Sequence, residues 1–344
     1  MTVEVSICIP TYNGARYIEA CLDSALGQTY SNYEILVVDD GSTDDTLDIL
    51  YRYAANNKQI RLIHNEHNLG LVGNWNKCIE HATGEWIKFV FQDDLIHQNC
   101  LKDMLATANQ QNCPLVTCRR DFIFEAGTDH TTKAYYENHP CMEDIFPGQQ
   151  SISANTFCNA VINHIGINFI GEPSAVLIHR SLFDKKGTFN PNLIMVCDLE
   201  FWTRAAIDTG IAYTPEVRAF FRVHGNSTSA ENFGIKAYRT MLDELILLHD
   251  YVYSPIYEPL RTAAIQHTPP VNLLTLLAKE SKGAKWMATD ALRRTKDPDP
   301  TLIKEWERLI QRWPRLNSQH PEQRQNIFVH LKNMLTWFTS KKHQ

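Results

Sequence analysis

Short apolar runs alternate with amphipathic segments through the first part of the chain. The runs are typical of buried strands, because they are short and rich in β-branched or aromatic residues. Between them, apolar residues recur every three or four positions, as on one face of a helix. The predicted strands are 5–9, 35–38, 60–64 and 86–91, and the predicted helices are 15–27, 42–53 and 73–82. This alternation predicts right-handed βαβ units, a parallel sheet and an α/β fold.

The pattern changes twice further along the chain. A helix over 98–110 and a strand over 115–118 precede a mixed polar and aromatic stretch, 119–165, which we expect to be an irregular insert that shapes the substrate pocket. A strand over 173–180 and a helix over 198–209 follow. After about residue 233 helical periodicity dominates, in 238–251, 273–289 and 302–313. We therefore predict a catalytic domain over 1–232 and an α-helical C-terminal region over 233–344.

Composition narrows the class of protein. The net charge of −6, from 33 basic and 39 acidic residues among 344, argues against bulk binding of nucleic acid. The nine cysteines are odd in number, form no CxxC pair and lie mostly in apolar segments, which favours reduced thiols in the cytoplasm. The N-terminal sequence has no signal-peptide pattern and no run is apolar enough for a membrane span, so we expect a cytoplasmic protein.

Acidic residues cluster where strands are predicted to end. Asp39 and Asp40 follow the second strand, Asp93 and Asp94 follow the fourth, and the polar segment 10–13 follows the first. The carboxyl ends of such strands form the ligand-binding crevice of an open α/β sheet. Adjacent carboxylates repel unless a cation or hydrogen-bond donors compensate them, so the pairs suggest a metal–phosphate site. The alternative for Asp93 and Asp94 is a solvated loop, and the alternative for Asp39 and Asp40 is helix capping. We expect one of Asp39 and Asp40 to be structural.

Two local patterns add weaker signals. Ser42 to Asp45 resembles a capping box, with Ser42 as the cap. The segment 68–76 is a glycine-containing loop that runs into a helix, and such helix ends bind anions. It lacks GxGxxG, so a dinucleotide fingerprint is absent.

The order of these motifs resembles the opening of the family 2 glycosyltransferases with the GT-A fold. The resemblance covers roughly residues 4–230 and is carried by the segments 6–13, 18–30, 34–44, 68–70, 82–87 and 92–94. It implies a Rossmann-like nucleotide-diphospho-sugar transferase domain with a helical C-terminal extension. It also implies a UDP- or dTDP-sugar donor, a saccharide or lipid-linked saccharide acceptor, and inverting transfer in the assembly of surface polysaccharide or glycoconjugates.

The resemblance also assigns donor and metal residues. Asp40 falls on the family's base-binding aspartate, and Tyr12 lies near the base. The family's DXD motif aligns with residues 91–93, so Phe91 replaces its first aspartate and Asp93 is retained as the direct ligand of Mn²⁺ or Mg²⁺. The predicted substrate- or donor-binding residues are Pro10, Thr11, Tyr12, Asn13, Asp39, Asp40, Asn74, Gln92, Asp93, Glu172 and Arg222, and the predicted metal residues are Asp93, Asp94 and His224.

A fourth motif carries the predicted catalytic base. In 196–204, Cys197 takes the family's usual Glu position and Asp198 retains the Asp, which by resemblance is the general base. Taken alone, Asp198 is more typical of a helix cap than of a catalytic base. Glu200 is a weaker candidate that we expect on the exposed side of the helix. Glu172, in the segment 171–174, is expected to face the acceptor, or else to be a buried turn carboxylate.

The sequence leaves two questions of function open. Phe91 and Cys197, at two usually acidic positions, support an alternative: a non-catalytic scaffold subunit with the same fold. The family's processive members carry Q-x-x-R-W and membrane helices, which this sequence lacks, so we expect transfer of a single sugar. The apolar face of 326–340 suggests a peripheral anchor at the inner face of the membrane, or packing on its own domain or on a second subunit; we favour packing.

Overall fold

The chain forms two compact units in a computed structural model that describes residues 3–227, 229–230, 238–291 and 300–317. The units are Met1–Val271 and Asn272–Gln344. The first extends past residue 232, the predicted end of the catalytic domain, because helices over 238–266 belong to it. The functional division at residue 232 stays a prediction. The segment 326–340, with its predicted apolar face, lies outside the described residues.

Within the described residues, one mixed nine-stranded sheet organises the first unit. Its strands are β1 Val5–Thr11, β2 Tyr33–Asp39, β3 Ile60–His64, β4 Trp86–Phe89, β5 Leu95–Ile96, β6 Leu115–Phe124, β7 Ser151–Ile152, β8 Val176–His179 and β9 Ile211–Val223. Their order is β3-β2-β1-β4-β8-β6-β9-β5, with β7 beside β9. The first four strands are parallel, as predicted, and the α/β fold is confirmed. Beyond β4 the prediction of a parallel sheet is wrong, because β8 runs antiparallel to both β4 and β6.

Helices connect the strands. In the first unit they are α1 Ile18–Leu26, α2 Thr46–Asn56, α3 Leu71–His81, α4 Cys100–Gln111, α5 His130–Glu137, α6 Met142–Ile145, α7 Ala154–Asn163, α8 Arg180–Lys186, α9 Cys197–Thr209, α10 Tyr238–Tyr253 and α11 Glu258–Gln266. The second unit contains α12 Leu273–Trp286 and α13 Pro300–Arg312. Short 3₁₀ turns lie at Pro173–Ala175, Pro255–Tyr257 and Pro314–Asn317, and a π turn at Met287–Ala291.

The segment 119–165 is more regular than its sequence pattern predicts. It contains the end of β6, the helices α5 to α7 and the short β7. Two of these helices start at side-chain caps, with Asp129 accepting from the amide of Thr132 and Ser153 from that of Thr156. Hydrophobic periodicity does not reveal α5 and α6, because α5 buries none of its residues and α6 is only 4 residues long.

The core lies along the central strands. Every residue of β1 is buried, and apolar residues of α1 and α4 pack against the same core as β1 and β2. All nine cysteines are free, and eight are buried, as predicted. Among the described residues, no helix is both long and apolar enough to cross a membrane.

Candidate active site

A cavity of about 600 Å³ opens at the carboxyl ends of β1, β2 and β4. This is the crevice in which open α/β sheets bind ligands. The predicted site residues that line it are Pro10, Thr11, Tyr12, Asn13, Asp40, Asn74, Gln92, Asp93, Glu172, Asp198 and His224. Three others, Asp39, Asp94 and Arg222, are not among the described residues of its wall.

Gln92 fixes the segment that follows β1. Its Oε1 accepts hydrogen bonds from Thr11 Oγ1 at 2.6 Å and from the amide of Tyr12 at 2.9 Å. Its Nε2 donates to the carbonyl of Tyr12 at 3.1 Å. The side chain of Tyr12 is exposed at the cavity, so this clamp presents an aromatic ring without using its hydroxyl.

Asp40 ties the loop before α3 to the cavity floor. Its Oδ1 accepts from the amide of Leu69 and from Asn65 Nδ2, both at 2.8 Å, and its Oδ2 accepts from the amide of Gly70 at 3.0 Å. Asn74 supports the arrangement by accepting from Asn65 and donating to the carbonyl of Val38. Two amides of the predicted anion-binding loop are therefore occupied by Asp40. A carboxylate has about four acceptor positions, so Asp40 retains capacity for one more donor.

Asp39 is structural and stands behind the cavity wall, which corrects its predicted contact with the donor. Its buried oxygens accept from the amides of Gly41 and Ser42, from Ser42 Oγ and from His64 Nδ1. The predicted capping box is wrong, because α2 starts later, after Asp45. Ser42 Oγ instead donates to Asp39 and accepts from the amide of Asn13.

Asp93 and His224 converge at the cavity. Asp93 Oδ2 lies 2.9 Å from His224 Nε2, and the imidazole also packs on the ring of Tyr17 at 4.7 Å between centroids. His224 is buried, and its Nδ1 has no hydrogen-bond partner within the part of the chain that the structure describes. Arg222 donates from Nε to the carbonyl of Asp93 at 2.8 Å, so it positions this segment from behind the wall.

Asp94 faces the interior, away from its neighbour Asp93. It accepts from Ser174 Oγ at 2.5 Å and from the amide of Arg222 at 2.9 Å, and its burial holds the pKa of this carboxyl well above its ordinary value. The buried Lys88 donates to the carbonyl of Ser174. Asp94 thus joins the end of β4 to the 173–175 turn and to β9. The direct metal contact predicted for it is not supported by this orientation.

Asp198 lies in the first turn of α9 with its carboxyl at the cavity. Oδ1 accepts from the amide of Leu199 at 2.7 Å and Oδ2 accepts from Asn168 Nδ2 at 2.9 Å. Burial, together with the nearby Glu172, raises the pKa of Asp198 from 3.8 to about 7. A carboxyl that titrates near neutral pH can accept a proton during a reaction.

Glu200 is buried, which makes its expected exposed position wrong. Arg204 donates to both of its oxygens, at 2.7 and 2.8 Å, and the hydroxyl of Tyr257 donates at 2.5 Å. This ion pair fixes α9 against the 3₁₀ turn at 255–257. Glu200 therefore has a structural role.

Glu172 lines the cavity and lies next to Arg120 of β6. Arg120 Nε is 2.5 Å from its Oε2. The preceding Gly171 has φ +116°, a backbone conformation that favours glycine, and a Cβ there would lie a tight 3.1 Å from Arg120 Nη1. The turn keeps Glu172 at the wall, which is compatible with its predicted contact with the acceptor.

Three residues at or near the site were not found from the sequence: Arg120, Asn168 and Asp243. Arg120 and Asn168 fall in or beside the stretch that was expected to be irregular. Asp243, on α10, is fully buried and accepts from the amides of Ile194 and Met195 at 2.6 and 2.7 Å. Ile194 and Met195 line the cavity just before α9. A charged residue on an otherwise apolar helix face is the one available sequence signal for Asp243.

The described residues provide only part of the ligand set that a divalent metal needs. In the described portion of the chain, no group of three or more His, Cys, Asp or Glu side chains forms a metal site. Asp93 Oδ2 and His224 Nε2 are 2.9 Å apart, and neighbouring ligands of an octahedral ion lie about 3 Å apart at the bond lengths of Mg²⁺. Both atoms are suitable ligands, so the pair fits an ion that takes its other ligands from phosphate and water.

Comparisons with known proteins agree with the geometry. A family model described as "Glycosyl transferase family 2" matches residues 6–167. Among bacterial relatives named as glycosyltransferases, one from Haemophilus influenzae is 27% identical over 233 residues, which are 66% of this chain and 67% of the relative.

Two solved structures share the fold. TarS 1–349 of S. aureus, in complex with UDP-GlcNAc, has a TM-score of 0.57 at 21% identity, covering 84% of this chain and 79% of that TarS fragment. The mannosyltransferase PcManGT of Pyrobaculum calidifontis, in complex with GDP-Man and Mn²⁺, has a TM-score of 0.56 at 18% identity, covering 92% and 84%. Fold and relatives together define a glycosyltransferase with a GT-A-like fold. The match to the family 2 model covers slightly less than half of the chain.

Proposed function

We propose that this glycosyltransferase moves a single sugar from a UDP- or dTDP-sugar to a hydroxyl of a saccharide or lipid-linked saccharide, with inversion and with Mn²⁺ or Mg²⁺. The observation that carries the proposal is that Asp40, Asp93, His224 and Asp198 line one cavity. Their residue types match the three tasks of such a reaction, which are binding a nucleotide, neutralising a diphosphate and removing a proton. The resemblance of the sequence to family 2 glycosyltransferases supports a place in the assembly of surface polysaccharide or glycoconjugates.

The nucleotide side of the cavity is formed by Tyr12 and Asp40. An exposed tyrosine ring held by its own backbone can stack on a pyrimidine. Asp40 is held by three donors and retains acceptor capacity, which suits the imide N–H of uracil or thymine. Asn74 contributes indirectly, because it holds Asn65, a partner of Asp40.

Asp93 and His224 are the residues that would hold the metal. A bound divalent ion neutralises negative charge on the departing diphosphate. Without a third protein ligand among the described residues, the ion would be held jointly by this pair and by the donor. We therefore expect metal and nucleotide to bind together.

Asp198 is the proposed general base on the acceptor side. The acceptor oxygen attacks the anomeric carbon while its proton passes to Asp198, and the bond from that carbon to the diphosphate oxygen breaks. The nucleoside diphosphate leaves with the bonding electron pair. A single displacement of this kind inverts the anomeric configuration, and a positioned base contributes on the order of 10²–10⁴-fold to the rate. Glu172 lines the same cavity, which supports the proposal that it binds acceptor hydroxyls.

Calorimetric titration of UDP, with and without MnCl₂, tests the proposal directly. We expect heat of binding that depends on Mn²⁺ and is strongly reduced in Asp93→Ala. The matched control is Asp48→Ala, which removes an exposed carboxylate from α2 and should bind as the unmodified chain does. Failure of UDP, dTDP and their sugars to bind in the presence of metal would overturn the donor assignment.

Release of nucleoside diphosphate from a panel of UDP- and dTDP-sugars then tests turnover. Release or transfer of sugar by the unmodified chain, and its loss in Asp198→Asn, would support catalysis. Tight donor binding without turnover, with any acceptor of a saccharide panel, would favour the scaffold alternative that Phe91 and Cys197 suggest.

A further inference from the structure

We infer that Asn168 is the positioning residue of the catalytic carboxylate. Its Nδ2 donates to Asp198 Oδ2 at 2.9 Å, while the amide of Leu199 holds Oδ1 at 2.7 Å. Each carboxylate oxygen thus has one fixed donor, and both donors favour the ionised form. The inference rests on the proposed role of Asp198 as general base.

The amide group of Asn168 is itself held in one orientation. Its Oδ1 accepts from the amide of Gly171 at 3.1 Å, and its Nδ2 also reaches the carbonyl of Gly171 at 3.2 Å. Because Oδ1 must accept, Nδ2 must face Asp198. The side chain therefore closes a turn and directs its donor to the base at the same time.

The turn is anchored to the helix that carries the base. The carbonyl of Gly171 also accepts from Trp202 Nε1 at 3.0 Å, one turn after Asp198 on α9. The carbonyl of Asn168 lies 3.2 Å from His139 Nε2, which attaches the turn to the segment after α5. Asn168 thus joins the turn that precedes Glu172 to the helix that bears Asp198.

The charges around Asp198 explain why a donor is needed there. Glu172 disfavours the ionised form of Asp198 and Arg120 favours it. His139, behind Asn168, has a pKa lowered by burial, and Cys197 has a raised pKa, so neither adds charge near neutral pH. Arg120, the cation that acts on Asp198, is itself paired with Glu172. The amide of Asn168 is then the side-chain donor that stabilises the Asp198 carboxylate.

Direct titration of Asp198 tests the inference without substrate. Carbon-13 NMR of the full chain with ¹³Cγ-labelled aspartate, compared with Asp198→Asn, identifies its resonance. In Asn168→Ala we expect the pKa of Asp198 to rise by about one unit, because a hydrogen bond to the charged form is lost. The matched control is Asn159→Ala, whose amide donates to the carbonyl of Asn155 within α7, and it should leave the titration unchanged.

Asn168→Asp provides a second variant, because it keeps an acceptor for the amide of Gly171 and removes the donor to Asp198. It should raise the pKa of Asp198 further through like-charge repulsion. An unchanged titration in a folded Asn168→Ala or Asn168→Asp protein overturns the inference, and so does loss of folding in both variants, which would make Asn168 a folding residue.

The readout separates this inference from the proposed function. If no nucleotide binds but the pKa of Asp198 shifts as expected, the donor proposal fails and the positioning role stands. If nucleotide binds and the pKa does not move, the positioning role fails alone. Where turnover is measurable, the acidic limb of the pH–rate profile in Asn168→Ala should shift upward by the same amount.

Discussion

His224 Nε2 lies 2.9 Å from Asp93 Oδ2, although the two residues are separated by 131 positions in the chain. β9 delivers the histidine to the strand end that carries the aspartate. Arg222 also holds β9 at this strand end. Its backbone amide donates to Asp94, and its Nε donates to the carbonyl of Asp93. Both tandem aspartates therefore contact the end of β9 or the residue just after it: Asp93 contacts His224 at the cavity, and Asp94 contacts Arg222 in the interior.

His224→Ala should weaken metal-dependent nucleotide binding. Loss of a metal ligand is expected to reduce the affinity for UDP in the presence of Mn²⁺ by about tenfold or more, because even residues that only support ligands cost this much. Titration calorimetry with and without Mn²⁺ measures the change. His130→Ala, which removes an exposed histidine from α5, is the control. Equal Mn²⁺-dependent affinities for the His224 variant and the unmodified chain would exclude the histidine from the metal site.

The pH dependence of turnover should report the base. Asp198 must be ionised to accept a proton, and its pKa is about 7. The rate should therefore rise with pH and level off above about pH 8, with an acidic limb centred near the pKa of Asp198. Asp198→Asn should retain UDP binding and lose turnover on the order of 10²–10⁴-fold. A normal rate in this variant, or an acidic limb near pH 4, would contradict the assignment.

Much of the site could be predicted because its residues adjoin regular elements with strong patterns. Asp40, Asp93 and Asp198 each follow a strand or begin a helix that hydrophobic periodicity locates. Contacts between segments that are distant in the sequence determine features of the site that the hydrophobic pattern does not show. Which member of each aspartate pair faces the cavity depends on donors from distant segments, namely Ser174 for Asp94 and His64 for Asp39.

The strand β8 was predicted, but its antiparallel direction was not, for a similar reason. Its apolar run predicts a strand but carries no information about direction, which is set by pairing with β4 and β6. Asn168 contacts Asp198 across 30 positions through a turn that has no periodic signal. Local pattern therefore predicts the first four strands and the acidic strand ends, whereas positioning residues emerge only from packing.

The difference in stability between Asp198→Asn and the unmodified chain should grow as the pH rises. The folded state binds the Asp198 proton more tightly than the unfolded chain, since its pKa rises from 3.8 to about 7. Between these values the native state holds more protons, so the contribution of this group to stability falls as pH rises. The neutral amide avoids the cost of an ionised carboxylate. We expect the variant to be more stable than the unmodified chain by about 1–2 kcal/mol at pH 8, after allowance for solvent at the cavity.

Urea denaturation at pH 5 and pH 8 measures this difference. The advantage of Asp198→Asn should shrink at the lower pH, where the carboxyl is protonated. An advantage of equal size at both values would mean that ionisation of Asp198 does not destabilise the fold.

Asp243→Ala should release the loop that precedes the catalytic helix. The buried carboxylate accepts from the amides of Ile194 and Met195 and pairs with Arg239 at 2.9 Å. Its removal leaves two backbone donors without their acceptor and breaks a buried ion pair, at a cost of about 3 kcal/mol or more in unfolding free energy. Because Ile194 and Met195 line the cavity beside Asp198, turnover should fall by more than UDP affinity.

Asp250→Ala is the matched control for this effect. Asp250 lies on the same helix, and its side chain is more exposed and pairs with the adjacent His249 at 3.1 Å. Such a pair contributes about 0–1 kcal/mol, so this variant should keep its denaturation midpoint, its turnover and its UDP affinity. If Asp243→Ala behaved like Asp250→Ala in all three measurements, the buried carboxylate would not hold the loop, and the position of Asp198 would depend on α9 and Asn168 alone.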